Sequence, residues 1–308
     1  MEYAHIDDLL KSISDHIIKS CSPVRVAVAA AHEEHVIEAV VKAWQEGIVS
    51  PILVGRTDDI LSFLSSVHVG ENALPIVYAE TDEDAAQLSV NLVKQGQAEF
   101  LMKGLMNTST LLHAVLKKGT GLPHSETVSH FVLAEITGYH KLVAYTDVGI
   151  NIQPNLDQKK NILLNAVSVM RHYGVEKPKV AVLSAVELVN SKMSETVDGH
   201  ALKEMCAAGE LGNCYVEGPI SFDLALDQEA ASVKHFNSPV AGDADILLVP
   251  NVVSGNIMAK AIKTFAGLKS IALALGASVP IVVTSRATSV DSKYRSIVAA
   301  AGIVRNGN

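Results

Sequence analysis

Apolar residues first recur at helical spacing, at Ile6, Leu9, Leu10, Ile13 and Ile17, and then the period changes. Val24 to Ala30 is a short apolar run that predicts a buried strand. His32 to Glu46 returns to helical spacing, with Val36, Ile37, Val40 and Trp44 on one side. Ile52 to Val54, ending in Gly55-Arg56, and Ile76 to Tyr78 read as further strands. Thr81-Asp-Glu-Asp84 suits the start of a helix from Ala85 to Lys94, because acidic side chains stabilise a first turn. Ala98 to Met102 is another strand, followed by a helical pattern at Leu111, Leu112, Val115 and Leu116. Regular alternation of this kind predicts an α/β fold with a parallel sheet and right-handed crossovers.

The rhythm breaks near His124. Phe131 to Ile136 and Leu142 to Tyr145 are short strands joined by Thr137-Gly-Tyr-His-Lys141, a loop length that suits a hairpin. After Asn151 and Pro154 the alternation resumes: helix Asp157 to Tyr173, strand Val180 to Ser184, strand Cys214 to Glu217, strand Ile246 to Pro250, and a helix beginning near Gly255. Ile271 to Leu275 and Ile281 to Thr284 are the last strands and Val290 to Ala301 the last helix. The pattern predicts two α/β domains with mostly parallel sheets flanked by helices. The first spans residues 1–125 and is completed by 275–308; the second spans 126–274.

Composition agrees. Of 308 residues, 48% are hydrophobic, 19% charged and 5% aromatic, which suits parallel strands buried on both faces. The net charge of −8 argues against nucleic acid as a partner. Three cysteines are too few for a disulfide framework and fit a reducing cytoplasm; Cys21, Cys206 and Cys214 read as core residues. The start, Met1-Glu-Tyr-Ala-His-Ile-Asp-Asp8, is acidic and lacks a signal-peptide core, and no apolar run is long enough for a membrane span.

Three strand-to-helix turns carry the candidate chemistry. In Met102-Lys-Gly-Leu-Met-Asn-Thr-Ser-Thr110 a cation, Lys103, precedes Asn107, Thr108 and Ser109 at a helix start. Hydroxyls, unpaired N–H groups and a positive charge there favour an anion such as phosphate. The plainer reading is a helix cap beside a solvated lysine. Asn251-Val-Val-Ser-Gly-Asn256 follows a buried strand, where open α/β sheets bind ligands; the alternative is capping by Ser254 or Asn256. Thr284-Ser-Arg-Ala-Thr-Ser-Val-Asp291 places Arg286 at a strand end, where guanidinium recognises phosphate through paired donors; the alternative is a structural salt bridge. Thr146-Asp147-Val-Gly-Ile-Asn151 closes the hairpin with an acid, a glycine and an amide, and Asp147 could cap the next segment. His32-Glu-Glu-His35 lacks the order of a zinc helix and reads as an exposed first turn. The Walker, nucleophile-elbow and dinucleotide fingerprints are missing, and no metal site is expected.

Together these segments resemble the phosphate acyltransferase family of phosphate acetyltransferases and butyryltransferases. The match is carried by Met102 to Ser109, Thr146 to Asn151, Glu217-Gly-Pro-Ile-Ser-Phe-Asp223, Ser238-Pro-Val-Ala-Gly-Asp-Ala-Asp245, Pro250 to Asn256 and Thr284-Ser-Arg286, in the family's order. The Lys-Gly-Leu-Met-Asn-Thr-Ser form is most similar to the butyryltransferase branch. The resemblance implies an isocitrate/isopropylmalate dehydrogenase-like architecture with the active site in a cleft between domains. It implies a homo-oligomer with coenzyme A as a substrate, no permanently bound cofactor, and the reaction acyl-CoA plus phosphate giving acyl phosphate plus CoA. It assigns Ser285 and Arg286 to phosphate and the transition state, and Thr108 and Ser109 to the acyl phosphate.

Two positions depart from the family pattern. Acetyltransferases carry a tyrosine where Ala259 stands, which leaves room for a longer acyl group. They carry an aspartate, assigned as the thiol base, where Ser292 stands, with Asp291 one position earlier. The expected catalytic set is Arg286, Ser285 and Asp291; the expected binding set is Lys103, Asn107, Thr108, Ser109, Asn151 and Asn256. Two alternatives are weighed. One is a non-catalytic acyl-CoA or phosphometabolite sensor of the same fold. The other is a decarboxylating hydroxy-acid dehydrogenase, which needs an aspartate cluster that the sequence does not offer.

Overall fold

The computed structural model describes residues 3–306. Met1 and Glu2, part of the acidic start noted above, lie outside the described residues, as do Gly307 and Asn308. The chain divides into two compact units. A terminal unit comprises Leu9–Ser125 and Ile271–Asn308; a central unit comprises Met1–Asp8 and Glu126–Ser270.

In chain order the elements run α1 (Ile6–Lys19), β1 (Val24–Ala29), α2 (Glu34–Gln45), β2 (Val49–Gly55), α3 (Thr57–Ser66), β3 (Ile76–Tyr78), α4 (Asp82–Lys94), β4 (Phe100–Lys103) and α5 (Thr108–Leu116). The hairpin strands β5 (His124–Ile136) and β6 (Val143–Thr146) follow, then α6 (Leu156–His172), β7 (Lys179–Leu183), α7 (Ser194–Ala207), β8 (Tyr215–Ile220), α8 (Phe222–Leu226), α9 (Gln228–Val233), β9 (Ile246–Leu248) and α10 (Val252–Phe265). The chain ends with β10 (Leu268–Ala277), β11 (Ile281–Val282) and α11 (Val290–Asn306).

In the terminal unit the strands lie in the order β3-β2-β1-β4-β11-β10. They run parallel except for the β10–β11 hairpin. Every residue of β4 is buried, and all of β1 except Arg25, because helices cover both faces. The strand order reverses at β1: β2 lies on one side and β4 on the other. The crevice at the carboxyl ends of two such strands is where open α/β sheets take ligands. The register sets Ala29 opposite Lys103 and Val282 opposite Met102, so three strand ends come level there.

In the central unit β5 pairs antiparallel with β6, and β6, β9, β7 and β8 follow in parallel. The carboxyl ends of β6 and β9 adjoin, so the loop at Asp147 neighbours the start of α10.

Three expectations need correction. First, α10 begins at Val252, not near Gly255. Asn251 caps it by accepting the Ser254 N–H at 3.0 Å, so neither Ser254 nor Asn256 is the cap. Gly255 sits inside the first turn because a Cβ there would stand 2.7 Å from Val249 Cγ2 and 3.0 Å from the Asp147 carbonyl. Second, His32 is not an exposed first-turn residue but is buried beside Gly55, and Glu33 caps α2. Third, only Cys214 of the three cysteines is a core residue. Cys206 is half-buried, and Cys21 is exposed in the turn that ends α1.

Candidate active site

The centre of the terminal unit's site is the junction of β1 and β4. The Gly104 N–H donates to the Ala29 carbonyl and the Leu105 N–H to the Ala30 carbonyl, both at 2.8 Å. A Cβ on Gly104 would stand 2.1 Å from the Ala30 oxygen, so only glycine permits this approach. The approach turns the chain sharply after Lys103. The Lys103 side chain is buried, and its Nζ donates to the carbonyls of Gly104 at 3.1 Å and Met106 at 3.0 Å. Lysine thus organises the loop that leads into α5.

Asn107 is the N-cap of α5 but makes no side-chain cap bond. Its Oδ1 accepts instead from Arg286 Nη2, at 3.4 Å. Among the described residues none accepts from the backbone N–H groups of Thr108, Ser109 or Thr110. These donors and the positive end of the helix face outward, the arrangement that binds anions. Thr108 is half-buried and Ser109 exposed.

β11 brings Ser285 and Arg286 to the same edge. The Ser285 carbonyl accepts from the Thr288 N–H at 3.0 Å and from Lys293 Nζ at 3.3 Å. Asp291, in the first turn of α11, points toward α2, where its carboxylate stands 3.8 Å from Lys42 Nζ and is 67% exposed.

The electrostatics of this edge are one-sided. Burial, then the nearby charges of Lys293 and Arg286, lower the Lys103 pKa to about 8. Burial also lowers that of Lys293. Glu33 opposes both shifts and Asp82 opposes the first, yet the Glu33 carboxylate already accepts from the His35 and Val36 N–H groups at the start of α2. Among the described residues no carboxylate forms an ion pair with Lys103 or Lys293. Buried cations without an ion-pair partner favour an incoming anion.

The central unit places its candidates differently. Asp147 is buried, and its carboxylate accepts from the N–H groups of Gly149, Ile150 and Asn151 at 2.8, 2.9 and 3.1 Å. The Asn151 amide donates to Asp147 at 2.6 Å and to the Val128 carbonyl at 2.8 Å, so both its hydrogens hold the loop together. Asn256 donates to the Val148 carbonyl at 3.3 Å. Among the described residues no group of three His, Cys, Asp or Glu side chains could hold a metal ion.

Sequence reasoning named Lys103, Asn107, Thr108, Ser109, Ser285 and Arg286, and the structure gathers them at one edge of the terminal unit. It did not single out Lys293 or Glu33, which act electrostatically on Lys103. Lys293 was detectable: it lies on the face of α11 that carries Ile297 and Ala300, and a lysine on an apolar helix face is uncommon.

An α/β sheet whose parallel strands end in a cluster of buried cations without ion-pair partners suits a protein that handles phosphoryl groups. Comparison with known proteins makes this specific. The profile of the phosphate acetyl/butaryl transferase family matches residues 71–301, and the chain belongs to that family. It is 40% identical over 300 residues to a phosphate butyryltransferase of Clostridium acetobutylicum, covering 97% of this chain and 100% of the relative. It is 38% identical over 277 residues to a phosphate acetyltransferase of Thermotoga maritima, covering 90% and 94%. The crystal structure of a branched-chain phosphotransacylase from Enterococcus faecalis superposes with a TM-score of 0.80 at 32% identity, covering 91% of this chain and 99% of that one. The protein is a phosphate acyltransferase, moving an acyl group between coenzyme A and phosphate.

Proposed function

We propose that the acyl group is short, with butyryl favoured over acetyl, and that the phosphate seat is the edge formed by Lys103, Asn107, Thr108, Ser109, Ser285 and Arg286. The observation that carries the seat is the Arg286–Asn107 contact, which joins the β11 loop to the open N-terminus of α5. The preference for butyryl rests on the Lys103 to Ser109 motif and on Ala259, which leaves space where acetyltransferases carry tyrosine.

In the forward direction a phosphate oxygen attacks the thioester carbonyl carbon. A C–O bond forms, the C–S bond breaks, and the sulfur leaves as thiolate. Charge grows on the carbonyl oxygen while the phosphate is held between Arg286 and the α5 N–H groups. Ser285, Thr108 and Ser109 orient phosphoryl oxygens. In reverse, the CoA thiol loses a proton as its sulfur attacks the acyl phosphate, and Asp291 is the proposed acceptor, which requires its exposed carboxylate to turn from Lys42. Asn151 and Asn256 act on the reaction by holding the Asp147 loop. The free thiols of Cys21, Cys206 and Cys214 fit a cytoplasmic enzyme, and we expect a homo-oligomer.

The test is thiol release from acetyl-CoA and butyryl-CoA in the presence of phosphate, with Arg286→Ala as the variant. Losing one fixed donor to developing charge costs about 3–4 kcal/mol, so turnover falls at least about a hundredfold while the fold persists. A near-normal rate removes Arg286 from the mechanism, and faster turnover of acetyl-CoA reverses the acyl preference.

A further inference from the structure

Lys293 has no part in the roles assigned so far, yet it is only 2% exposed. A fully buried lysine is rare because its charge loses hydration, and such lysines normally sit against a carboxylate. Lys293 sits instead against the Ser285 carbonyl, one residue before Arg286. Glu33, from the start of α2, acts on Lys293; on Lys103 act Lys293 itself, Arg286 from the β11 loop, Glu33, and Asp82 from the start of α4. Of the two acids, Glu33 acts on both lysines and is committed to the α2 cap.

We propose that Lys293 is a positioning residue of the phosphate seat: its ammonium clamps the Ser285 carbonyl, fixing the Arg286 loop, and lends its charge to the seat built by Lys103 and Arg286. The inference rests on the reading of that edge as the phosphate site. The clamp explains why a cation stands on the buried face of α11. A neutral side chain of equal length packs there as well but leaves the Ser285 carbonyl with one partner fewer. The charge explains why no carboxylate pairs directly with it: an acid in contact with Lys293 would cancel the field that attracts phosphate, whereas Glu33 acts from beyond ion-pair distance and is held by the α2 cap. The same field acts on Lys103, whose proton is held less tightly because Lys293 is near.

The test compares Lys293→Met, Lys293→Gln and Lys293→Arg with the native enzyme. Steady-state rates are measured against phosphate and butyryl-CoA between pH 6.5 and 9.5, and melting temperatures with and without inorganic phosphate. Lys293→Met is expected to raise the phosphate KM at least tenfold and leave the butyryl-CoA KM within about threefold. It also moves the alkaline break in phosphate KM to higher pH, because Lys103 no longer faces a second ammonium. Lys293→Arg keeps the phosphate KM within about threefold of native. Lys293→Gln keeps a shorter, uncharged donor and covers the case in which Lys293→Met does not fold; its phosphate KM is expected to rise as in Lys293→Met. A fall in kcat with phosphate KM and the alkaline break unchanged makes Lys293 merely structural and overturns the proposal. If native protein shows no turnover but phosphate raises its melting temperature, the acyl-transfer reading fails. The melting shifts of the variants then still decide the role of Lys293.

Discussion

Lys103 gives up its proton near pH 8 in the folded chain, against an ordinary value of 10.5. The cause is burial first and the charges of Lys293 and Arg286 second. Two slopes of opposite sign follow. Between about pH 8 and 10.5 the unfolded chain binds more protons at this residue than the folded one, so without ligand this residue makes stability rise with pH. Phosphate affinity moves the other way, because the ammonium that attracts the anion discharges as pH climbs through 8. The melting-temperature gain given by a fixed phosphate concentration is therefore larger at pH 7 than at pH 9.5. Differential scanning fluorimetry with and without phosphate measures it, and an equal gain at both values takes Lys103 out of the seat. The sequence placed this lysine at a strand end beside a helix start. It could not place the second lysine next to it, since 190 positions separate Lys103 and Lys293 and only the pairing of β11 with β4 brings them together.

At the scale of elements, the seat depends on how closely β1 and β4 approach beyond their last paired residues. Gly104→Ala sets a methyl 2.1 Å from the Ala30 oxygen and 2.8 Å from the Ala29 oxygen, and both are backbone atoms that cannot rotate away. The expected cost is at the upper end of overpacking, about 3 kcal/mol, with loss of activity greater than the loss of folded protein. Urea unfolding and the residual rate per folded molecule check this; native stability in the variant means that the turn relaxes freely. Much of the architecture that creates this approach was legible in the chain. The apolar runs Val24 to Ala30 and Ala98 to Met102, the β5–β6 hairpin and the final helix were readable because their periods differ and their breaks are polar. Other features were not. β5 extends back to His124, and its first half alternates polar residues such as Ser129, buried beside Asn165, so no apolar run marks it. The α10 boundary was misread because a glycine signals a break, whereas Gly255 serves a close contact between a helix and the Asp147 loop. Of the site, the motif residues were visible, but their partners were not: Arg286 and Asn107 are 179 positions apart.

At the scale of the whole molecule, α10 leaves one side bare among the described residues. Among its described residues only Gly255 is buried. Val253, Ile257, Ala261 and Phe265 recur at every fourth position and form one ridge along the helix. Val253 is 61% exposed, Ile257 64% and Phe265 87%. Ile152, 75% exposed, lies beside the start of the helix, where its carbonyl accepts the Val252 N–H at 3.1 Å. Together these side chains leave on the order of 500 Å² of apolar surface bare, near the upper limit for a monomer. A stable pair buries roughly 800 Å² on each partner, so the ridge would supply most of the core of such a contact. A second copy of the chain is the occupant the proposed homo-oligomer would supply, since a helix ridge related to itself by a two-fold axis meets its own apolar side chains. Lys260 and Lys263 are exposed on the same helix, where charge belongs at the rim of an interface. The prediction is that light scattering on the native protein at micromolar concentration gives at least twice the single-chain mass of 32.7 kDa. The double variant Ile257→Glu and Phe265→Glu, which places carboxylates in the ridge, runs at the single-chain mass with its fold intact by circular dichroism. A native protein that runs as a single chain, or a double variant that keeps the native mass, assigns the ridge to some other occupant.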